Sequence, residues 1–401
     1  MTVIKNIIVR KISDSRGDET VEVDVHTSNG FGRAAVPSGA SKGAFEAKSI
    51  PVADAISKAK SVVIPRLIGL DVGEQKNIDN TLHEIDGTKD FSNIGGNLSI
   101  GISMAVAKAA ASSSGVPLCQ YINVSSNSLP FPLGNVIGGG VHAKGSIDIQ
   151  EILVIPTGAR NIEDAIFANA EAYKQVKKLL NKREIVCGKG DEGAWAPSIS
   201  NEEALTIASE ATEDVSDSVG FDMRVAIDIA ATELWKDGRY VYSDVKLSTE
   251  EQIQYVSELI DRYNLYYVED PLEENDFEGF AELTKQVRCM ICGDDLFATN
   301  PTRIQQGIDT GAVNTVLIKP NQIGTVTGTY EAVKLANDNG YHCVMSHRSG
   351  ETTDDTIAHL AVALDIPIIK TGITGGERIA KLNELIRIEG DLKDPRMAII
   401  K

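Results

Sequence analysis

No apolar stretch in this chain approaches the ~20 residues that a bilayer-crossing helix needs, so a membrane span is not expected. Positive charge is scarce as well. Lys and Arg total 39 against 57 Asp and Glu, a net charge of −18 with no basic block, which disfavours nucleic acid and anionic membranes as partners. Low-complexity tracts and heptad runs are missing. Cysteine is sparse: five scattered residues, an odd number, do not make a disulfide framework and fit a reduced, cytoplasmic protein. Cys289-Met-Ile-Cys292 has C-x-x-C spacing but lies in an apolar run that reads as a strand. Residues three apart on a strand point to opposite faces, so the pair reads as core rather than a metal or redox site. The opening MTVIKNIIVRKISDSRG mixes Lys5, Arg10 and Lys11 into its apolar residues. A signal peptide has a continuous apolar region, so this segment is expected to be a folded edge.

What is present is ordinary globular material, 401 residues with 42% hydrophobic and 24% charged, enough for two domains. Residues 3–36 read as strands, and Val21-Glu-Val-Asp-Val25 alternates as a half-solvated antiparallel strand should. Helical patterns follow at 52–67, 72–85 and 97–113. A Ser/Asn/Pro segment from Asn123 then looks like a domain connection. This predicts an α+β domain over 1–125. From about residue 220 apolar strands (224–230, 265–269, 288–293, 313–318, 341–346, 366–369) alternate with helices. Start and stop signals mark these helices: Ser248-Thr-Glu-Glu251, Asn300-Pro301 and Asn339-Gly340. The pattern is α/β and predicts a parallel (β/α) barrel over 126–401, with a doubly wound open sheet as the competing arrangement.

The strand ends carry the chemistry. In order they are Asp228, Glu269, Asp294, Lys319, His347 and Lys370, each about one strand–helix unit or two from the next, and barrels hold their reacting groups on that face. Singly, Asp294 could cap a helix and Lys370 could snorkel into water. Asp228 is harder to dismiss, because it sits inside the apolar run Val225-Ala-Ile-Asp-Ile-Ala-Ala231 and a buried charge is costly without a partner. Three neighbouring carboxylates with no cation between them call for a hard divalent ion, and Mg²⁺ suits an all-oxygen site. Lys319, near such an ion and a second lysine, is expected to have a lowered pKa and to act as a base. Glu151, beside Gln150, and Glu192, in the glycine-flanked Gly190-Asp-Glu-Gly193, add carboxylates across the ring. Ser346-His-Arg-Ser-Gly350 gathers donors and positive charge at the end of a buried strand, where an anion would suit.

Taken together these stretches resemble the enolase family. The resemblance runs in order through Asp14-Ser-Arg-Gly17, Pro37-Ser-Gly-Ala-Ser41, Gln150-Glu151, Gly190-Asp-Glu-Gly193, Glu269-Asp-Pro271, Gly293-Asp-Asp-Leu296, Lys319-Pro-Asn-Gln-Ile-Gly-Thr325, Ser346-His-Arg-Ser-Gly-Glu-Thr352 and Lys370-Thr-Gly372. It implies a small N-terminal α+β domain followed by an enolase-type (β/α)8 barrel with irregular first strands, and a homo-oligomer of two or more chains. The implied reaction is reversible dehydration of 2-phospho-D-glycerate to phosphoenolpyruvate. Asp228, Glu269 and Asp294 would hold a high-affinity Mg²⁺, and Ser41 would ligate a second, substrate-dependent one. Lys319 would take the C2 proton, and Glu192, supported by Glu151, would protonate the departing hydroxyl. Lys370 would face the substrate carboxylate; Arg348 and Ser349 would bind phosphate, with His142 closing on it and Gln150, Ser346 and His347 completing the substrate site. The chain departs from the family pattern at Lys42, Val141, Lys144, Ala194 and Gly375-Gly376, and its C-terminus looks short. None of these removes a proposed ligand or proton carrier. Two alternatives stay open: another acid dehydratase or racemase of the same superfamily, and a non-catalytic binding protein on the same fold.

Overall fold

The computed structural model describes residues 2–39, 43 and 45–400. Strands β1 (Asn6–Ser13), β2 (Glu19–His26) and β3 (Phe31–Ala35) form an antiparallel sheet. Val21, Val23 and Val25 are fully buried on its inner face, as the alternation predicts. The outer face is less solvated than expected. Asp24 is buried there between Arg10 and Arg33, with Arg33 Nε 2.7 Å from its Oδ1. Burial alone would push that carboxyl up, but the two guanidinium groups hold it well below the usual range.

Helices α1 (Gln75–Asp86) and α2 (Gly96–Ser114) follow, close to their expected spans. The segment expected as one helix over 52–67 is wound as Val52–Lys58, a π-helical turn Ala59–Val63, and Ile64–Leu67. Pro65 lies at the start of the last piece, where its missing N–H and its ring disturb the regular ladder. The small residues of α2 let it lie directly on the sheet: a Cβ at Gly32 would come within 2.0 Å of the Ala105 carbonyl oxygen.

Eight strands close the second part: β4 (Phe131–Gly138), β5 (Glu151–Ile155), β6 (Arg224–Asp228), β7 (Tyr267–Glu269), β8 (Met290–Gly293), β9 (Thr315–Ile318), β10 (His342–Ser346) and β11 (Ile368–Lys370). They pair in chain order, and β11 pairs back onto β4 with Ile368 opposite Phe131, so the sheet is a barrel and not an open wound sheet. The first strands are irregular, as expected. β5 runs antiparallel to both neighbours, and the register shifts between Asn135 and Ile137. The helix signals hold: Ser248 and Glu251 form a capping box, Asn300 caps the helix that begins at Pro301, and Gly340 follows Asn339 with φ 77°. All five cysteines are free, and Cys292 is buried in β8.

A buried carboxylate ties the two parts together. Asp79 on α1 accepts from Ser103 Oγ (2.6 Å) on α2 and from the backbone N–H (2.9 Å) and Oγ1 (2.6 Å) of Thr327, in the first turn of helix Val326–Asp338. Asp79→Ala would strand these donors, each at a cost of about 1–3 kcal/mol. The urea midpoint, followed by far-UV circular dichroism, is expected to fall clearly; an unchanged midpoint would show that the tether contributes nothing.

Candidate active site

Strand direction decides who meets at the rim. Because β5 is antiparallel, its first residue, Glu151, lies where the other strands end: Glu151 pairs with Asp228, Asp228 with Glu269, and Ser346 with Lys370. Around the barrel, β5 to β8 therefore present Glu151, Asp228, Glu269 and Asp294, while β9 to β11 present Lys319, the His347-Arg348 loop and Lys370. An arc of acid faces an arc of base, and nearly all of it is buried.

The two lysines lean across this divide. Lys370 Nζ is 3.0 Å from Asp228 Oδ2, 2.9 Å from Glu269 Oε1 and 3.3 Å from Glu151 Oε1, and Lys319 Nζ is bonded to Asp294 Oδ2. Two sequence expectations change here. The carboxylates do have cations among them, and the lysines are not lowered. Burial disfavours the charge of both, but Asp294 more than offsets it at Lys319, and Asp228, Glu151 and Glu269 do so at Lys370, so both ammonium groups are held above their ordinary range.

The acids still outnumber the cations. Burial and then Asp228 push Glu269 up to about 8, and burial with Asp294 pushes Asp295 up to about 7. Asp270, whose oxygens accept the backbone N–H groups of Asp294 and Asp295 (2.9 and 2.8 Å), is driven well above its usual range by burial and Asp295. A rim of oxygen donors with this surplus of buried negative charge fits a hard divalent cation. Among the described residues two groups hold ligand atoms within 4.8 Å of one another: His142, Glu151 and Glu192, and Asp270, Asp294 and Asp295. Among the described residues the expected trio is not drawn together as tightly; Lys370 bonds Asp228 and Glu269, and Lys319 bonds Asp294. Ser41 lies outside the described residues, as does Lys42.

The remaining expected residues converge on the same cleft, lined by His142, Gln150, Glu151, Glu192, Ser346, His347, Arg348 and Ser349. Gln150 Nε2 donates to Asp228 (3.4 Å). His142 Nδ1 lies 3.6 Å from Glu151 and 3.8 Å from Glu192, and His347 Nε2 is 3.4 Å from Glu192. Glu151 is pushed far up by burial and by the neighbouring Glu192 charge. Glu192 is pulled down against its burial by the two imidazoles and Arg378. Since burial holds His347 down at about 4, its ring is neutral, and the pull it exerts on Glu192 is that of an N–H dipole. Of the two, Glu151 is the better proton holder.

Residues that sequence reasoning left unassigned organise the anion loop. Arg378, fully buried, donates to His347 Nδ1 (2.7 Å) and to the carbonyls of Arg348 (2.6 Å) and Ser349 (2.8 Å). Arginine can only donate, so His347 Nδ1 accepts and its proton sits on Nε2. An anion does meet Arg348, but it belongs to the chain: Glu46 lies 3.0 and 3.1 Å from the two terminal guanidinium nitrogens. Neither residue carried a sequence signal, since an arginine in a first helical turn and a glutamate after a glycine-rich loop both read as surface charge.

The capped eight-strand barrel with its site at the C-terminal rim defines a class, the (β/α) barrel enzymes. The family description "Enolase, N-terminal domain" matches residues 4–122 and "Enolase, C-terminal TIM barrel domain" matches residues 126–398. Similar curated proteins include the enolase of Archaeoglobus fulgidus (56% identical, covering 99% of this chain and 100% of the relative) and that of Natronomonas pharaonis (55%; 98% and 100%). The enolase of Methanocorpusculum labreanum is 54% identical over 97% of this chain and 99% of the relative. The chain belongs to the enolase family, the phosphopyruvate hydratases, which are carbon–oxygen hydro-lyases. Side-chain ¹⁵N NMR of His347 is expected to show a neutral ring protonated at Nε2 from pH 6 to 9, its pKa lying near 4. An imidazolium signal at pH 6.5 would overturn this assignment.

Proposed function

We propose that the chain catalyses reversible, Mg²⁺-dependent dehydration of 2-phospho-D-glycerate to phosphoenolpyruvate in glycolysis and gluconeogenesis. The observation that carries this reading is the placement of Lys319 directly after β9 and Glu151 at the start of β5, four strands apart and so across an eight-strand barrel. A base and an acid on opposite faces of a bound substrate suit removal of a proton at C2 and departure of hydroxide from C3. Asp228, Glu269 and Asp294 would hold the high-affinity Mg²⁺; Ser41, outside the described residues, is proposed for the second, substrate-dependent site. When bound, Mg²⁺ supplies positive charge that claims these carboxylates and neutralises charge developing on the substrate.

With Asp294 and Glu269 so engaged, Lys319 would lose their support and keep burial, Arg348 and Lys370, all of which favour the neutral amine. That would favour the unprotonated form a base needs. Lys370 faces the substrate carboxylate, and Arg348 with Ser349 receives the phosphate as Glu46 gives way. Glu192 delivers the proton to the leaving oxygen, Glu151 replenishing it; His142, Gln150, Ser346 and His347 complete the walls. No helix among the described residues is long and apolar enough to cross a membrane. A cytoplasmic homo-oligomer, dimer or larger, without nucleic-acid or membrane partners, and a domain division at residues 125/126 complete the proposal.

Two experiments test it. Excess chelator should abolish phosphoenolpyruvate formation and Asp294→Asn should weaken Mg²⁺ binding; full turnover in chelator rules out the metal assignment. Lys319→Ala should lose both dehydration and exchange of the C2 hydrogen with solvent deuterium. Glu192→Gln should keep the exchange while dehydration falls at least ~10²-fold, the lower end for a positioned acid. The reverse pattern would mean that base and acid are interchanged.

A further inference from the structure

The Asp14-Ser-Arg-Gly17 stretch enters the sequence resemblance without a role. In the structure it is a rigid turn. Asp14 Oδ1 accepts the N–H groups of Arg16 and Asp18 (both 2.9 Å), Gly17 N–H donates to the Asp14 carbonyl (3.1 Å), and Gly17 has φ 84°. The turn is also keyed into the barrel. Ser15 N–H donates to the Glu351 carbonyl (2.7 Å) and Ser15 Oγ accepts from Glu351 N–H (3.0 Å). Asp14 Oδ2 holds Ser38 Oγ (3.0 Å), and Ser38 exchanges backbone bonds of 2.7 and 2.8 Å with Gly350. The base from which Arg16 projects is therefore fixed against the barrel.

From that base Arg16 Nε reaches Asp191 Oδ2 at 2.9 Å. Asp191 directly precedes Glu192 in a loop closed by glycine at both ends, and Gly193 has φ 78°. The loop is pinned at its ends: Asp191 N–H donates to the His142 carbonyl (3.1 Å), and the Gly193 carbonyl accepts from Tyr173 Oη (2.7 Å). Between these anchors a Gly193 N–H bond to the Gly190 carbonyl (3.0 Å) closes the turn, and the Asp191 side chain is the point at which the N-terminal domain holds it. As a stability element the ion pair is unremarkable, with side-chain exposures of 20% and 43%, and pairs of that kind add little to folding. Arg16 nevertheless keeps Nη2 buried without a protein acceptor, an arrangement that stability alone would not select.

We propose that Arg16, in the N-terminal domain, is a positioning residue for the acid half of the reaction: it holds Asp191 and thereby aims Glu192. The inference rests on the proposed role of Glu192. It acts on one proton transfer and not on the other, because Lys319 lies across the barrel. In the full-length Mg²⁺-loaded protein, Arg16→Ala should lower kcat for dehydration roughly 10-fold or more, since small misplacements of a reacting group are costly. C2 hydrogen–deuterium exchange and the thermal midpoint should stay close to wild type. The paired reversal Arg16→Asp with Asp191→Arg should recover much of the dehydration lost in Arg16→Asp alone. Amide hydrogen exchange over residues 188–196, read by mass spectrometry, should speed up in Arg16→Ala, and this readout stands whatever the reaction. Equal loss of exchange and dehydration, or no rescue by the reversal, overturns the proposal. If wild type itself shows no C2 exchange, the base–acid reading fails while the loop measurement still judges the role of Arg16.

Discussion

The rest of the structure depends on buried charge separation at the barrel rim. Four consecutive strands bring carboxylates to one arc and the next three bring lysines and the arginine loop to the other. In a low-dielectric setting neither arc is tolerable alone, so Lys370 reaches three carboxylates and Lys319 takes Asp294. The same mutual dependence makes the site responsive. A cation that claimed the acids would remove the support that keeps each lysine charged against its burial, which would link metal occupancy to the basicity of Lys319 through shared partners.

Backbone arrangement sets this pattern before any side chain is placed. The reversed direction of β5 carries Glu151 to the rim; run parallel, that strand would begin at the far end of the barrel. Asp270, with φ 41°, turns the chain after β7 so that its oxygens receive the amides of Asp294 and Asp295. Arg378 does comparable work for the His347-Arg348-Ser349 loop, fixing the His347 tautomer and two carbonyls at once.

The N-terminal domain is more than a lid beside a finished site. It supplies the carboxylate of Glu46 to Arg348 and, through Ser38 and the Asp14 turn, a backbone seam to Gly350 and Glu351. An internal carboxylate on the proposed phosphate arginine keeps a buried guanidinium paired, and it sets a competitor that an incoming anion must displace.

Much of this was legible in the amino-acid order. Strand–helix alternation gave the barrel, and the residue ending each apolar run gave the rim, because periodicity and burial are local properties of a chain. The glycines around Glu192 and the capping signals were legible for the same reason. Glu46, Arg378 and the buried Asp24 were not, since each is buried by segments distant in sequence and looks locally like solvated charge. The sign of the lysine shifts was also hidden: it depends on which of several competing charges comes within about 3 Å, and adjacency on paper put a second lysine first. The sequence by itself determined the elements, their order and the chemical inventory at the strand ends. Only the tertiary structure decided which acid each base touches and which loop each arginine holds, because Coulomb and hydrogen-bond energies turn on ångström distances between residues that the chain keeps far apart.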